Sequence, residues 1–358
     1  MRTEVPTMGG RTAGLKPDLE KIIEKELKPF VRKIDSEAFY AKNYLKRLGE
    51  EGIFLSEGKT ARERLLAELS AVEETAKVCM TTAFCLWCHL AGLTYVRATE
   101  NAVLKAKLLP LLEKGAVLGA TGLSNAMKYY AGLEELRLRA KPVSGGYIFS
   151  GTLPAVSNLC QNHWFGVIAR TDSGGEIMAM LPFSINGLKK RQRTEFFAAN
   201  GSATYTCQFD DIFVPAEWVL SENAARFVEQ IRPAFVTYQI PIGFGVVEAS
   251  IAAIEKARQR QNGCNRYLKK QPEELRAALD GLRARLENLL ADEPLDWRKA
   301  AELRLDTAYL TLDAVQAAML HNGSAGYLRD SEPARRLREA YFYANLTPTI
   351  KHLEKLLR

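Results

Sequence analysis

A chain of 358 residues, 47% hydrophobic and 25% charged, has the balance of an ordinary folded protein with a large core, and its length predicts roughly two or three domains. Lysine and arginine number 49 against 42 acidic residues; the net +7 suits attraction of a phosphate-bearing ligand and is too diffuse for a nucleic-acid surface. The apolar runs fall short of the ~20 residues of a membrane span, the opening residues lack a signal-like core, and six scattered cysteines predict buried thiols over a disulfide framework, so a cytoplasmic protein is expected.

The first dozen or so residues read as disordered. From about 17 to 115 the period is helical. In KPDLEKIIEKELKPFVRKI, residues Leu19, Ile22, Ile23, Leu27, Phe30 and Val31 recur every three or four positions, setting one apolar stripe against charges. TARERLLAELSAVEETAKV repeats that logic, and CMTTAFCLWCHLAGLTYV is apolar nearly all round, as a helix enclosed by neighbours must be. Its CLWCH stretch, Cys85 to His89, matches the attachment pattern of c-type haem. A helix buried on every side has no open face for a porphyrin, so Cys85 and Cys88 are read as packing residues on adjacent turns.

Between about 116 and 220 the period shortens. GGYIFSG, HWFGVIART, GEIMAMLPF and ATYTCQFDDIFVP are rich in aromatic and β-branched residues and are separated by turn formers. Tyr205, Cys207 and Phe209 alternate with Thr204, Thr206 and Gln208, the two-residue period of a half-buried strand. LKKRQR, at 188 to 193, reads as a solvated hairpin edge, with a phosphate contact as the lesser alternative. After Val219 helical spacing returns. Pro272 stands in a first turn, and Leu275, Leu279, Leu282, Leu286 and Leu289 form the stripe of a bundle helix. The predicted fold is multi-domain α+β: an N-terminal helical domain (1–115), a central antiparallel β-barrel-like domain (116–220) and a C-terminal four-helix bundle (221–358).

Several motifs exclude themselves. GFGVVE, Gly243 to Glu248, has glutamate where a dinucleotide fingerprint needs its third glycine, and no strand precedes it; the glycines are read as points of close helix packing. His89, His163, His321 and His352 are too scattered to predict a metal site, and no GxSxG elbow is present.

The order of domains, together with five stretches, resembles the acyl-CoA dehydrogenase superfamily. AVEETAKVCMTTAFCLWCHLAG and KAKLLPLLEKGAVLGATGLSN resemble the family's first-domain close, IFSGTLPAVSN its VLNGSKMWITN, CQFDDIFVPAEWVL its strand and exit loop, and GSAGYLRDSEPARRLREA its GGNGY.RDYP.ERLLRDA. The resemblance covers nearly the whole chain. It implies FAD bound without a Rossmann fold, in a homodimer or homotetramer that shares the cofactor between subunits. By position, Leu123 and Ser124 meet the pyrimidine edge of the flavin, Val156 and Ser157 the N5 side, and Arg260 with the Gly323, Ser324 and Gly326 turn the pyrophosphate. His89 and Asn125 fall at the substrate pocket. An acyl-CoA-like small molecule is the implied substrate, an electron-transfer flavoprotein or flavin reductase the implied redox partner, and neither nucleic acid, membrane nor metal is implied.

The sequence departs from the family where the chemistry lies. Thr347 stands at the position of the proton-abstracting glutamate, and the alternative position near Pro233 also lacks one; Glu229, one turn earlier, is a weak candidate. KYYAG, around Tyr129 and Tyr130, replaces the family's GSD contact, and Ala155 replaces a tryptophan. The expected function is therefore an FAD-dependent oxidoreductase that moves hydride from an acyl-CoA-like substrate to flavin N5 without the usual glutamate. The alternatives are a reduced-flavin-dependent monooxygenase, whose GRWPFASG stretch GTLPAVSN also resembles and whose histidines are here Tyr343 and Leu346, or a subunit that kept the fold and lost the reaction.

Overall fold

Proline at position 29 breaks the first amphipathic helix. The structure is a computed structural model that describes residues 16–358. In it α1 (Lys16–Ile22) passes through a π-turn at Ile23–Leu27 and a 3-10 turn at Lys28–Phe30 before α2 (Val31–Ser36) resumes, because Pro29 brings no N–H to the ladder. Leu19, Ile22, Ile23 and Leu27 remain buried through the distortion. The helical part continues with α3 (Lys42–Glu50), α4 (Ala61–Val78), α5 (Met80–Ala98) and α6 (Ala102–Glu113). Thr60 and Glu63 form a reciprocal capping box that starts α4. In α5, Cys85 and Cys88 are each 1% exposed, and burial raises both thiols well above their usual range.

The strands are β1 (Gly119–Thr121), β2 (Leu138–Val143), β3 (Gly146–Val156), β4 (Trp164–Thr171), β5 (Glu176–Pro182), β6 (Lys189–Arg193), β7 (Thr204–Pro215) and β8 (Val219–Ser221), with a short α7 (Ser124–Tyr130) after β1. They form one sheet in the order β6-β7-β3-β2-β4-β5-β8, with β1 beside β4. The sheet is mixed where uniform antiparallel pairing was expected: β2 and β1 each run parallel to β4. The reason is that β3 is already paired to β7 on its far side, so β4 crosses to the free edge of β2 and there runs parallel to it. Phe149, Phe165, Cys207, Phe209 and Val214 fill a core belonging to the sheet itself. Strand β6 carries the LKKRQR cations on an exposed edge, with Lys189 paired to Asp210 at 2.8 Å, a charged edge that discourages pairing with another chain.

The C-terminal part comprises α8 (Ala224–Thr237), α9 (Ile240–Ala257), α10 (Pro272–Leu289), α11 (Trp297–Gly326), α12 (Glu332–Asn345) and α13 (Ile350–Leu357). The leucine stripe of α10 is buried throughout. Residues Ala224–Ala257 are long and apolar enough to cross a membrane, contrary to the expectation of shorter apolar runs, but 83% of their most apolar window is buried. The cause is central placement: α9 packs against α4, α10, α11 and α12. Such approach requires glycine. A Cβ on Gly243 would stand 2.4 Å from Thr307 Cγ2, and one on Gly245 would stand 2.5 Å from the Glu73 carbonyl oxygen.

Gly245→Ala is therefore expected to destabilise the protein by roughly 1–3 kcal/mol, the usual cost of overpacking, because the colliding atoms are α4 backbone and the Ala76 Cβ, which cannot move aside. Thermal unfolding of the variant checks this; an unchanged midpoint would refute the packing account.

Candidate active site

Strand β3 delivers the site. Register irregularities between Phe149 and Gly151, and again between Leu153 and Val156, bend it against β7 just before Ser157. The next residue, Asn158, is fully buried at φ 63°, a left-handed conformation asparagine tolerates. Its side chain accepts from Tyr40 Oη at 2.6 Å and donates to the Gly119 carbonyl at 2.8 Å, while its backbone N–H donates to Ser202 O. Asn158 is a positioning residue that sequence reasoning missed, although an asparagine after a strand end was its visible signal.

Ser157, Ala155 and Thr121 form one wall of a cavity of about 210 Å³; α5, α8 and α12 supply the apolar remainder, including Phe84, Trp87, Phe235 and Phe342. Ser157 Oγ lies 2.7 Å from Thr204 Oγ1, and Thr121 Oγ1 lies 2.7 Å from Tyr95 Oη, so both hydroxyls are held from behind. Phe84 meets Phe342 edge-on at 4.8 Å, and Trp87 meets Phe235 edge-on at the same separation. Trp87 Nε1 donates to the Phe235 carbonyl at 2.9 Å, fixing α5 to α8. A flat ring system with apolar faces and a polar edge suits these walls. The volume lies below the roughly 300–1,000 Å³ that encloses a whole drug-sized ligand, so the remainder of a dinucleotide would lie outside it.

Ser124 also lines the cavity, its Oγ 2.9 Å from Thr347 Oγ1. Gln239 Nε2 donates to the Thr347 carbonyl at 2.9 Å. The structure thus brings Ser124, Ser157 and Thr347 together. Leu123 and Val156 are fully buried and are not among the residues that line the cavity. Thr121, which sequence reasoning passed over two residues before Leu123, belongs to the same wall.

Other expected residues lie elsewhere. His89 is 0% exposed; its Nδ1 accepts the Gly119 N–H at 2.9 Å and its ring meets Phe54 edge-on, so it joins α5 to β1 instead of lining the cavity. Asn125 spends its amide on Glu134, on the Glu135 carbonyl and on the Arg137 N–H, tying α7 to the loop that follows. Glu229 is exposed on α8, away from the cavity, because the inward face of that helix is taken by Val228, Ile231 and Phe235. No carboxylate stands among the cavity's described lining residues, and Cys88, which does line it, is held protonated by burial.

Arg260 and the Gly323–Gly326 turn meet each other. Arg260 Nη1 donates to Asn322 Oδ1 at 3.4 Å, beside Gly323, whose φ of 55° and ψ of −140° interrupt α11. This pair lies past the far end of α9, whereas Gln239 and Thr347 lie at its start. The 18 residues of α9 separate them by about 27 Å at 1.5 Å per residue.

Comparison with known proteins bears on the fold. No family model matches the chain. It is 24% identical over 349 residues to the short-chain-specific acyl-CoA dehydrogenase of Clostridium acetobutylicum, covering 90% of each chain. The structure of a glutaryl-coenzyme A dehydrogenase in complex with glutaryl-CoA superposes with a TM-score of 0.86 at 19% identity, over 100% of this chain and 95% of that one. A structure described as an electron transferring flavoprotein of Acidaminococcus fermentans gives 0.86 at 20% identity, covering 100% and 98%. A glutaryl-CoA dehydrogenase of Mycobacterium smegmatis in complex with FADH2 gives 0.77 at 16% identity, covering 96% and 92%.

Burial, reinforced by Arg97 and His163, lowers the pKa of His89 to about 3. A histidine held neutral in the fold and titrating near 6.5 when unfolded stabilises fully above that value, and its contribution is lost as pH falls from 6.5 toward 3. His89→Gln should flatten the dependence of unfolding free energy between pH 7 and pH 5 by on the order of 2 kcal/mol, measured by urea denaturation; an unaltered slope would contradict the assignment.

Proposed function

We propose that the chain, similar over nearly its whole length to acyl-CoA dehydrogenases, is a member of that superfamily and an FAD-dependent oxidoreductase that takes hydride from a small acyl-type substrate without a carboxylate base. The observation that carries this reading is the cavity itself: fixed hydroxyls on one wall, aromatic side chains on the others, and no acidic group among its described lining residues. Bound FAD supplies a two-electron acceptor at ring N5. Ser157 and Thr121 offer hydroxyls to the polar edge of the ring, each locked by a partner behind it. Phe84, Phe342 and Leu346 give the reacting face an apolar lining.

Thr347 and Ser124 form a hydroxyl pair that can hold a proton in a hydrogen bond but cannot remove one from carbon near neutral pH. The substrate must therefore carry a proton acidic enough to leave to solvent. Arg260 and the Gly323–Gly326 turn are assigned to the pyrophosphate. Since about 27 Å of helix separates them from Gln239, which holds Thr347 at the cavity, the assignment calls for a second copy to complete each site, as a homodimer or homotetramer. Electrons would then pass to an electron-transferring flavoprotein or a reductase. The missing carboxylate also favours a second reading, a reduced-flavin-dependent monooxygenase, whose chemistry needs no such base.

The purified protein is expected to bind FAD, with Ser157→Ala weakening retention about tenfold, the loss of one hydrogen bond; ultrafiltration and the visible spectrum measure this. Under anaerobic conditions wild-type protein should be bleached slowly or not at all by butyryl-CoA, and Thr347→Glu should bleach at least tenfold faster. Equal, rapid bleaching of both would show that the hydroxyl pair is no obstacle. Bleaching of the wild type only by a reductase, followed by oxygen uptake, would select the monooxygenase.

A further inference from the structure

A second, smaller cavity of about 50 Å³ adjoins the first. Phe235 borders both, and Pro348, on the wall of the smaller, follows Thr347 of the larger. It lies between α7, α8 and α13, and most of its lining is apolar. Three of its residues break that pattern. Tyr130 Oη, Arg232 Nε and His352 Nδ1 are each buried without a hydrogen-bond partner, and His352 is only 2% exposed. Buried polar groups in a native fold are ordinarily satisfied, so three orphans on one small cavity point to a missing acceptor.

Its lining carries the cation Arg232, with Lys355, Lys128 and the carboxylates of Glu134 and Glu176 around it. Arg232 has no ion-pair partner among the described residues; its guanidinium instead stacks over Trp297, 4.7 Å from the ring centroid. Lys355, from the turn of α13 beside His352, donates only to the carbonyls of Ala131 and Gly132, at 2.7 and 3.4 Å. Lys128 is the one nearby cation with a carboxylate, Glu134, at 2.9 Å. A single water has the volume to enter, at about 30 Å³, and would satisfy hydrogen bonds while leaving the Arg232 charge unbalanced. A carboxylate does both, accepting at several lone-pair positions and neutralising a guanidinium.

We propose that this cavity binds the carboxylate of a short anionic substrate, whose carbon chain passes Phe235 and the Thr347–Pro348 segment into the larger cavity. The assignment of the neighbouring cavity as the flavin site is the reading on which this rests. Arg232 supplies charge, and Tyr130 and His352 supply orientation. The site selects a free acid over its neutral amide, because an amide nitrogen brings donors to a place already furnished with them.

The test titrates the full-length, FAD-loaded protein with butyrate, butyramide and inorganic phosphate, following both the visible flavin spectrum and the fluorescence of Trp297, identified by its loss in Trp297→Phe. Butyrate is expected to saturate both signals, with butyramide and phosphate at least tenfold weaker. Arg232→Gln, and separately His352→Asn, should weaken butyrate at least tenfold while FAD is retained; two variants guard against one that fails to fold. A response equal for butyramide, a preference for phosphate, a butyrate response that survives Arg232→Gln, or none at all would overturn the proposal. Folded protein that never binds FAD yet shows the butyrate-dependent Trp297 signal would uphold the anion site and remove the flavin reading. A yellow protein silent to butyrate would do the reverse.

Discussion

The site is organised around a buried guanidinium. Arg304, on α11, is fully buried, and no carboxylate pairs with it among the described residues. Its Nε donates to Gln239 Oε1 at 2.9 Å, its Nη2 to the Tyr343 carbonyl at 2.8 Å, and its plane lies 3.7 Å from the centroid of the Tyr343 ring. Burial lowers its pKa, with Tyr343 opposing the shift. A charge in such a place is costly unless its donors are used. Two of its nitrogens are spent on Gln239 and Tyr343 while Nη1 is left without a partner among the described residues, and these bonds fix the break between α8 and α9 and the end of α12 relative to α11. Gln239 passes the constraint on through its amide to the Thr347 carbonyl, and the Tyr343 hydroxyl closes the ring by donating to Gln239 O at 3.0 Å. The position of Thr347 at the cavity follows from these bonds.

That arrangement explains what was legible in the sequence and what was not. Periodicity reports a stripe of burial, so the leucines of α10 and the enclosed α5 could be read directly. Composition around 116 to 220 marked strands but could not choose between parallel and antiparallel partners, because β4 reaches β2 only after β3 has been taken by β7. Ser157 and Thr347 were placed by resemblance to other chains, and the structure puts both on one cavity. Position along the sequence misled for His89, Asn125 and Glu229. Each lies within a few residues of a residue that lines a cavity, but on a helix a shift of one residue turns a side chain about 100°. Arg304 carried no motif, and Asn158, though it closes the IFSGTLPAVSN stretch, gave no sign of what it holds, since the importance of both lies in partners distant along the chain.

A cavity whose described lining holds no carboxylate has its own electrostatics as well as its own chemistry. An apolar chamber that holds an acid beside a flavin must stabilise that charge or lose it. This one holds hydroxyls, an asparagine amide and a protonated thiol, all neutral. The nearby charges are cationic, Arg304 behind Thr347 and Arg232 across Phe235, and neither is balanced by an acid within ion-pair distance among the described residues. The site is therefore poised for a ligand that brings negative charge with it, whichever of the proposed reactions it serves.

Rigidity of α9 joins these local features to the assembly. Gly243 lets α9 settle onto Thr307, Thr311 and Tyr343, and Gly245 lets it settle onto the backbone of α4, so the helix is gripped along its first turns by contacts too close for any side chain. Its far end is held by Asn265, which donates to both the Ala257 and His321 carbonyls at 3.0 Å. A helix clamped at both ends cannot shorten the span between Thr347 and Arg260, and no side chain reaches across about 27 Å. Under the proposed assignment the two halves of a cofactor site are thus kept apart in each chain, and association of copies becomes a condition of binding. Close packing of two glycines, which in the sequence looked like a failed nucleotide motif, seats that helix against α4 and α11.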